Sequence, residues 1–425
     1  MLKILAFLTG VTILATPPPP GAPGDALEDS SSSSTPPAIL SAKDLRPTLD
    51  VPSGIEGKAK STEVRLEAVD SLRFVQAQVN GAGPFRFLLD TGGYLALNPV
   101  LVQKLGLKPD DGAIKGEGIG EKDVIWQRIH LKRIQIGGAY QENLAGFVMP
   151  DLEHLGKVLG KTIDGVFGLE LFWNFVAKFE DDWTRLTLIP DVIGWKYEGK
   201  GLAVPFRFVN HMPIIQAELD GVRAQLELDT GFNGSLNLQA PFAATHAFRE
   251  KARRSLESSA IGVGGRVNSY TIRARELKIG NLTVAEPIVS LSASTKGGLA
   301  LKEVDGLLGN KILTKFDVIF DYAGLRVILE PTPALTKRDE YNLTGFEWDL
   351  EGSGRITQVY ADSPAEAAGL KPDDVILEIN HRNFTDYTNI ELRALVRSRP
   401  GAELLLRVRS GSSEREIVLV LKELI

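Results

Sequence analysis

Two stretches of alternating hydrophobic and polar residues, each ending in an Asp-Thr-Gly tripeptide, dominate the pattern of this chain. Strand patterns between residues 64 and 89 lead to Asp90-Thr91-Gly92, and strand patterns between 213 and 228 lead to Asp229-Thr230-Gly231. Inside each stretch a two-residue turn, Asn80-Gly81 or Asp220-Gly221, separates two strands. Period-two alternation around Asn-Gly or Asp-Gly is typical of β-hairpins. The pattern therefore predicts two units that are mostly β.

The two units repeat each other in register. The tripeptides are 139 residues apart, and Asp164-Gly165-Val166-Phe167-Gly168 recurs 141 residues later as Asp305-Gly306-Leu307-Leu308-Gly309. A repeated unit of about 120 residues is too long for a solenoid and predicts two homologous lobes in tandem. A single Asp-Thr-Gly would be interpreted as a tight turn whose Asp caps a local backbone group. Two copies in register, each after an apolar strand, favour a shared chemical role.

These motifs resemble the retropepsin-like aspartic proteases, arranged as a two-lobed single chain in the manner of pepsin. The resemblance covers about residues 66–331 and rests on the paired Asp-Thr-Gly turns, each followed by a hydrophobic-hydrophobic-Gly element. It implies one lobe at 63–195 and a second at 196–331. It also implies that Asp90 and Asp229 are catalytic, with support from Thr91, Gly92, Thr230 and Gly231.

The chemistry of peptide hydrolysis explains why two carboxyl groups are wanted. Like charges in contact cannot both ionise, so one proton is shared, and one group acts as base while the other acts as acid. The pair titrates as a unit, so neither role is assigned to Asp90 or Asp229 individually. Family members usually place Ala or Ser after Asp-Thr-Gly, whereas this chain has Gly93 and the bulky Phe232. The optimal pH is therefore left open.

Glycine-rich segments downstream of each turn are candidates for the flaps that cover such sites. They contain Gly118 and Gly120 in the first lobe and Gly262 and Gly264 in the second. An ordinary hairpin turn is the alternative. A phosphate-binding loop is a further alternative, although neither segment stands at a strand-to-helix junction with a Lys-Ser/Thr pair. Trp126 and Tyr270 follow these segments and are candidates either for the cleft or for the core.

The C-terminal segment, 343–425, resembles a PDZ domain of the kind attached to bacterial envelope proteases. The resemblance rests on Ser363-Pro364-Ala365-Glu366-Ala367-Ala368-Gly369-Leu370 and on Asp374-Val375-Ile376-Leu377-Glu378-Ile379-Asn380. A PDZ domain binds an extended peptide as an added strand and holds its terminal carboxylate with loop amides. Leu343, Thr344, Gly345 and Phe346 are the expected carboxylate loop. The expected groove lies between the strand 346–350 and the helix 389–397.

The N-terminus predicts an exported protein. Residues 1–16 have the shape of a signal peptide, Lys3 followed by an apolar run, and 17–62 are rich in Pro and Ser, which predicts a disordered linker. An uncleaved leader that tethers the chain to a membrane is the alternative, and Ala26 is another candidate cleavage position. We expect a periplasmic or extracellular location.

Composition narrows the partners and cofactors. The net charge of −6 argues against a nucleic-acid partner, and the chain has no cysteine and no paired histidine motif, so neither a metal nor another cofactor is expected. No Gly-x-Ser-x-Gly elbow occurs. The expected partners are polypeptide substrates and protein C-termini. The sequence thus predicts an aspartic endopeptidase with a PDZ domain that recruits or gates substrates. The alternative is a catalytically inactive envelope protein that binds peptides through the PDZ groove. Pairing of lobes between two molecules is left open.

Overall fold

The computed structural model describes residues 3–5, 9–12, 50–112, 114–120, 122, 124–190, 194–349 and 352–425. Most of the expected leader and of the linker up to residue 49 lie outside the described residues. The described part is mostly β, as predicted. Among the described residues no helix is long and apolar enough to cross a membrane.

The described part of the first lobe consists of strands that belong to two sheets and of three α-helices. Its strands, together with two short N-terminal ones, are β1 (Lys3–Leu5), β2 (Thr9–Thr12), β3 (Ser53–Ile55), β4 (Thr62–Arg65), β5 (Glu67–Val69), β6 (Leu72–Val79), β7 (Ala82–Leu89), β8 (Ala96–Leu97), β9 (Ile114–Glu117), β10 (Val124–Ile136), β11 (Ala139–Val148), β12 (Gly165–Phe167), β13 (Val176–Glu180) and β14 (Arg185–Ile189). Its helices are α1 (Pro99–Lys104), α2 (Asp151–Leu159) and α3 (Leu169–Asn174). The predicted turn at Asn80-Gly81 is present, with positive φ at both residues, as a tight hairpin requires.

The second lobe repeats this plan. Its strands are β15 (Leu202–Val209), β16 (Met212–Leu219), β17 (Val222–Leu228), β18 (Leu236–Leu238), β19 (Leu256–Gly262), β20 (Gly265–Arg273), β21 (Glu276–Ile279), β22 (Leu282–Ala285), β23 (Ile288–Ser292), β24 (Gly306–Leu308), β25 (Phe316–Asp321) and β26 (Arg326–Pro331). Its helices are α4 (Ala240–Thr245), α5 (Phe248–Lys251) and α6 (Asn310–Leu313). In each lobe the strand that ends at Asp-Thr-Gly pairs in parallel with the glycine strand, β7 with β12 and β17 with β24.

A sheet shared by both lobes holds them together. Its strands follow the order β15-β26-β25-β13-β14-β4, and β13 pairs with β25 across the boundary between the lobes. Main-chain hydrogen bonds therefore cross this boundary, and the lobes cannot separate without leaving backbone groups unpaired. One chain thus brings its own two Asp-Thr-Gly turns together, and pairing of lobes between molecules is not required for this.

One predicted boundary is wrong. The linker ends earlier than residue 62, because β3 pairs with β11, Ile55 joins the core and Trp173 donates to Asp50. Leu66 separates β4 from β5, and these two strands join different sheets. Ala247, which has a positive φ of 53°, separates α4 from α5.

The N-terminal strands lie against the glycine-rich hairpins of both lobes. The backbone of β1 pairs in parallel with β19, and that of β2 pairs antiparallel with β9.

The PDZ segment has its own core. Its elements are β27 (Phe346–Trp348), β28 (Ile356–Val359), α7 (Pro364–Ala367), β29 (Val375–Ile379), β30 (Arg382–Asn383), α8 (Asn389–Val396), β31 (Glu403–Ser410) and β32 (Ser413–Val420). A capping box of Thr388 and Glu391 starts α8. Both predicted groove elements are present, although the strand ends at Trp348 and not at residue 350.

Candidate active site

The two Asp-Thr-Gly turns lie against each other at the boundary between the lobes. Thr91 Oγ1 donates to the carbonyl of Leu228 at 2.6 Å and accepts from the N–H of Thr230 at 3.0 Å. Thr230 Oγ1 donates to the carbonyl of Leu89 at 2.9 Å and accepts from the N–H of Thr91 at 2.9 Å. Both threonines are fully buried. Each hydroxyl is therefore saturated by the opposite lobe, and this reciprocal network fixes one turn relative to the other.

The glycine strands hold each turn from behind. The N–H of Asp90 donates to the carbonyl of Phe167 at 3.2 Å, and the N–H of Asp229 donates to that of Leu308 at 3.0 Å. A Cβ on Gly168 would collide with the carbonyl of Gly93, so the strand and the turn can approach this closely only at a glycine.

The carboxyl groups of Asp90 and Asp229 are brought together by the turn glycines. Gly92 N–H donates to Asp90 Oδ1 at 2.9 Å, and Gly231 N–H donates to Asp229 Oδ1 at 2.8 Å. A Cβ on Gly231 would lie 2.5 Å from Asp90 Cγ, so the carboxyl of one lobe rests on the turn of the other. The Oδ2 atoms of both aspartates receive no hydrogen bond from any other described group.

Burial perturbs the titration of both carboxyl groups. It raises the pKa of Asp90 to about 7, against the opposing effect of the Gly92 amide. Burial, followed by the charge of Asp90, raises the pKa of Asp229 well above its usual range. Each carboxyl group therefore favours its protonated form more than an exposed aspartate does.

Gly93 and Phe232, the residues that follow the two turns, differ in their surroundings. A Cβ on Gly93 would lie 2.9 Å from Asp90 Oδ2, so this position has room only for glycine. The ring of Phe232 packs against Gly234 and Gly309 in an apolar cluster. Its backbone N–H only weakly opposes the rise that burial causes in the pKa of Asp229.

The four predicted flap glycines lie in two hairpins whose tips meet. Gly118 and Gly120 follow β9, whereas Gly262 ends β19 and Gly264 forms the turn before β20. Gly120 N–H donates to the carbonyl of Val263 at 2.9 Å. A Cβ on Gly118 or Gly120 would collide with the backbone at residues 263–264, which explains glycine here.

Both hairpin tips are buried in the opposite lobe. Ile119 and Val263 are each 0% exposed. Ile119 packs in an apolar cluster with Met212 and Phe232 of the second lobe, and Val263 packs with Leu88 and Trp126 of the first. Trp126 therefore belongs to the core. Since the two carboxyl groups are also 0% exposed, the structure shows the candidate site covered.

Two polar contacts close to the Asp-Thr-Gly turns were not predicted from the sequence. His211 Nε2–H donates to the carbonyl of Gly92 at 2.8 Å, and Ser71 Oγ donates to the carbonyl of Asn233 at 2.6 Å. Ser71 and His211 occupy equivalent hairpin turns 140 residues apart. The repeat could have revealed the equivalence, although nothing in a lone Ser or His marks a contact with the other lobe.

The expected carboxylate loop of the PDZ segment is engaged internally. Asn342 Oδ1 accepts from the N–H of Thr344 at 2.9 Å, and Asn342 Nδ2 donates to the carbonyl of Phe346 at 2.7 Å. Leu343 N–H donates to the carbonyl of Val396 at the end of α8. Thr344 and Phe346 are buried, as is Leu343, and Gly345 has a positive φ of 85°.

Helix α8 of the PDZ segment is docked on the first lobe through a buried ion cluster. Arg393 Nη1 lies 2.6 Å from Asp70 Oδ2, and Arg397 Nη1 lies 3.8 Å from Asp70 Oδ1. Asn389 Nδ2 donates to the carbonyl of Val158 at 2.8 Å. Burial alone would raise the pKa of Asp70, but the charges of Arg393, Arg397 and Lys311 outweigh it and hold the pKa below its usual value. Among the described residues no group of three or more His, Asp or Glu side chains is arranged to hold a metal ion.

Comparison with known proteins identifies two domains. Residues 75–171 match the aspartyl protease family model, and residues 355–410 match the PDZ domain model. The chain therefore carries a retropepsin-like aspartyl protease domain and a C-terminal PDZ domain, as the sequence motifs predicted. The match to the protease model ends within the first lobe.

Curated relatives share only a short segment. The probable CtpA-like serine protease of Staphylococcus epidermidis is 32% identical over 62 residues, which is 15% of this chain and 13% of that protein. The probable CtpA-like serine protease of Staphylococcus haemolyticus is 36% identical over 62 residues, 15% of this chain and 12% of that protein. The chain thus spans about an eighth of these relatives. A match of this length is shorter than either lobe and similar in length to the PDZ match.

Proposed function

We propose that this chain is an aspartic endopeptidase in which Asp90 and Asp229 share a proton and activate water. The observation that carries the proposal is the pair of cross-bonded Asp-Thr-Gly turns, which hold two buried carboxyl groups together below two glycine hairpins. The second lobe lies outside the matched family model, and its equivalent pairing of β17 with β24 supports its assignment as a homologous lobe. The leader pattern at 1–16 extends the proposal to an exported enzyme.

The geometry supports direct attack by water. The ionised carboxyl takes a proton from the water molecule as it attacks the peptide carbonyl, while the protonated partner gives its proton to the carbonyl oxygen. No covalent bond to the protein forms. Gly92 and Gly231 N–H groups fix the orientation of the two carboxyl groups, so little reorganisation is needed when charge develops.

A substrate can enter only when the hairpins open. Opening withdraws Ile119 and Val263 from the apolar clusters beside the carboxyl groups, and these clusters become exposed to the peptide. Closure over a bound peptide would then exclude water from the reaction. The apolar lining favours substrates with aliphatic side chains near the cleaved bond.

The docked PDZ domain is proposed to gate this site. Asn233, in the loop after the second turn, donates to Asp70 at 3.2 Å, and Asp70 holds Arg393 of the PDZ helix. In the same loop Ser235 donates to Asp339, which also pairs with Lys315 at 3.1 Å. Asp339 belongs to the second linker, 332–342, which joins the second lobe to the PDZ segment. A movement of the PDZ domain would therefore change the support of the loop that follows Asp229.

Cleavage of an unfolded protein between pH 3 and 8 tests the proposal. We expect wild type to cleave and both Asp90→Asn and Asp229→Asn to lose at least a thousandfold of the rate, because either change removes the shared-proton pair. A serine-directed sulfonyl fluoride should leave the rate unchanged, which separates this mechanism from that named for the relatives. Equal cleavage by all three proteins would remove the two aspartates from the mechanism. No cleavage by wild type, with peptide binding retained, would favour the inactive binding protein.

A further inference from the structure

A third carboxyl group, that of Glu227, lies beside the two aspartates. Glu227 stands two residues before Asp229, and side chains two apart on a strand face the same side. A Cβ on Gly92 would lie 2.5 Å from Glu227 Oε1, 3.4 Å from Asp90 Oδ1 and 3.5 Å from Asp229 Oδ1. Three carboxyl groups therefore surround the same glycine.

The environment of Glu227 gives its carboxyl no partner. The side chain is 1% exposed, and neither oxygen meets a hydrogen-bond donor among the described residues. Its neighbours across the sheet are the apolar Ile214 and Leu307. A buried polar group without a partner is costly, so its retention calls for a role.

The two lobes differ at this position. Leu88 is the residue two before Asp90, and it packs in the apolar cluster of the first lobe. The fold therefore accepts an aliphatic side chain here, and a carboxyl group is not needed for folding. The acid is present on one side of the pair only.

We propose that Glu227 is a positioning residue that forms one titrating unit with Asp90 and Asp229 and keeps their shared proton bound up to a higher pH. This inference rests on the proposed function. Each ionisation in a buried centre opposes the next, so the charge of a neighbouring acid raises the pH at which the shared proton leaves.

The other titratable groups near this centre are few among the described residues. Asp90 and Asp229 face Glu227, and burial followed by their charges raises the pKa of Glu227 well above its usual value. Tyr322 approaches from the end of β25, where burial followed by the charges of Glu227 and Asp90 raises its pKa. His211 contacts the same turn at the Gly92 carbonyl.

The test is the pH dependence of kcat/KM for Glu227→Gln in the full chain. Glutamine keeps the shape and removes the charge, so we expect the upper limb of the profile to move down by about one to two pH units. Glu170→Gln is the matched control, because Glu170 is also buried but its carboxylate accepts from the Leu95 N–H and its environment contains neither aspartate. The upper limb of the kcat/KM profile of Glu170→Gln should lie at the same pH as that of wild type.

A second readout does not need activity. Stability should fall as pH rises above about 4, because acids with raised pKa keep protons in the folded state that the unfolded chain has lost. Glu227→Gln should make this fall shallower, and Glu227→Leu, which copies the first lobe, serves as a second variant if the amide does not fold. Failure of wild type to cleave would refute the proposed function but leave this readout intact.

Two results would overturn the proposal. One is an unchanged upper limb together with an unchanged pH dependence of stability in Glu227→Gln. The other is a loss confined to peptides that carry Lys or Arg beside the cleaved bond, which would assign Glu227 to substrate selection.

Discussion

Replacement of Asp70 by Asn should release the PDZ domain from the first lobe. Asp70 is the anion between Arg393 of helix α8 and Arg397, which follows the helix. The side chains of the Asp70–Arg393 pair are only 13% and 9% exposed. Lys311 lies nearby, and burial, followed by the charge of Arg397, lowers its pKa to about 8. Asparagine preserves the shape but removes the negative charge that faces these cations.

The expected cost is set by the burial of the pair. Removal of one partner from a buried ion pair destabilises by about 3–5 kcal/mol, because the remaining charge is uncompensated. Asparagine retains an acceptor for Arg393, so we expect about 3 kcal/mol, or roughly a hundredfold in the docking equilibrium. An apolar cluster that includes Leu256, Tyr341 and Leu424 still contributes to docking. The variant should therefore exchange between docked and released states while both units stay folded.

Hydrogen exchange of residues 389–396 and proteolysis of the linker at 332–342 measure the release. Asp373→Asn is the matched control, because the Arg355–Asp373 pair is exposed and such pairs contribute little. The pKa of Asp70 is depressed, so its contribution is complete above the unfolded value near 4 and disappears as pH falls through the folded pKa. The two proteins should therefore converge in acid. Equal protection of α8 in Asp70→Asn and wild type at pH 7 would refute the docking role.

Three further predictions concern the site. Thr91→Ala should lower the free energy of unfolding in urea by roughly 2–4 kcal/mol, because it leaves the Leu228 carbonyl and the Thr230 N–H unpaired. Thr91→Ser should stay near wild type, and a loss below about 1 kcal/mol in Thr91→Ala would contradict the network. Ile119→Ala should open the hairpins and increase proteolytic cleavage between residues 114 and 122. Ile125→Ala is the control and should not, because the Ile125 side chain on β10 is 64% exposed. Equal cleavage of Ile119→Ala and wild type would argue against closure by Ile119. The folded pKa of Asp90 is about 7 and thus above its unfolded value, so the free energy of unfolding should fall as pH rises from about 4 through 7. Asp90→Asn should make this fall shallower. An identical dependence of stability on pH in the variant would assign the raised pKa to another group.

The local elements were accessible from the sequence because hydrophobic periodicity and turn chemistry act over a few residues. The hairpin turns at Asn80 and Asp220, the paired Asp-Thr-Gly turns and the start of α8 all follow from such short patterns. The predicted end of the linker was wrong because a contact with a strand far along the chain decides where the ordered structure begins. Residues 53–55 look like linker by composition, and they are ordered because β11 offers an unpaired edge.

The sequence by itself determined the mostly β character of the chain, the positions of the acidic residues in the two Asp-Thr-Gly turns, and the PDZ domain. Only the tertiary structure decided that Glu227 joins the two aspartates, that the hairpin tips fill the opposite lobes, and that Asp70 holds the PDZ helix. The physical reason is that burial, loss of hydration and contact between charges depend on which residues, far apart in the sequence, come into contact in the fold. A local sequence pattern does not contain that information.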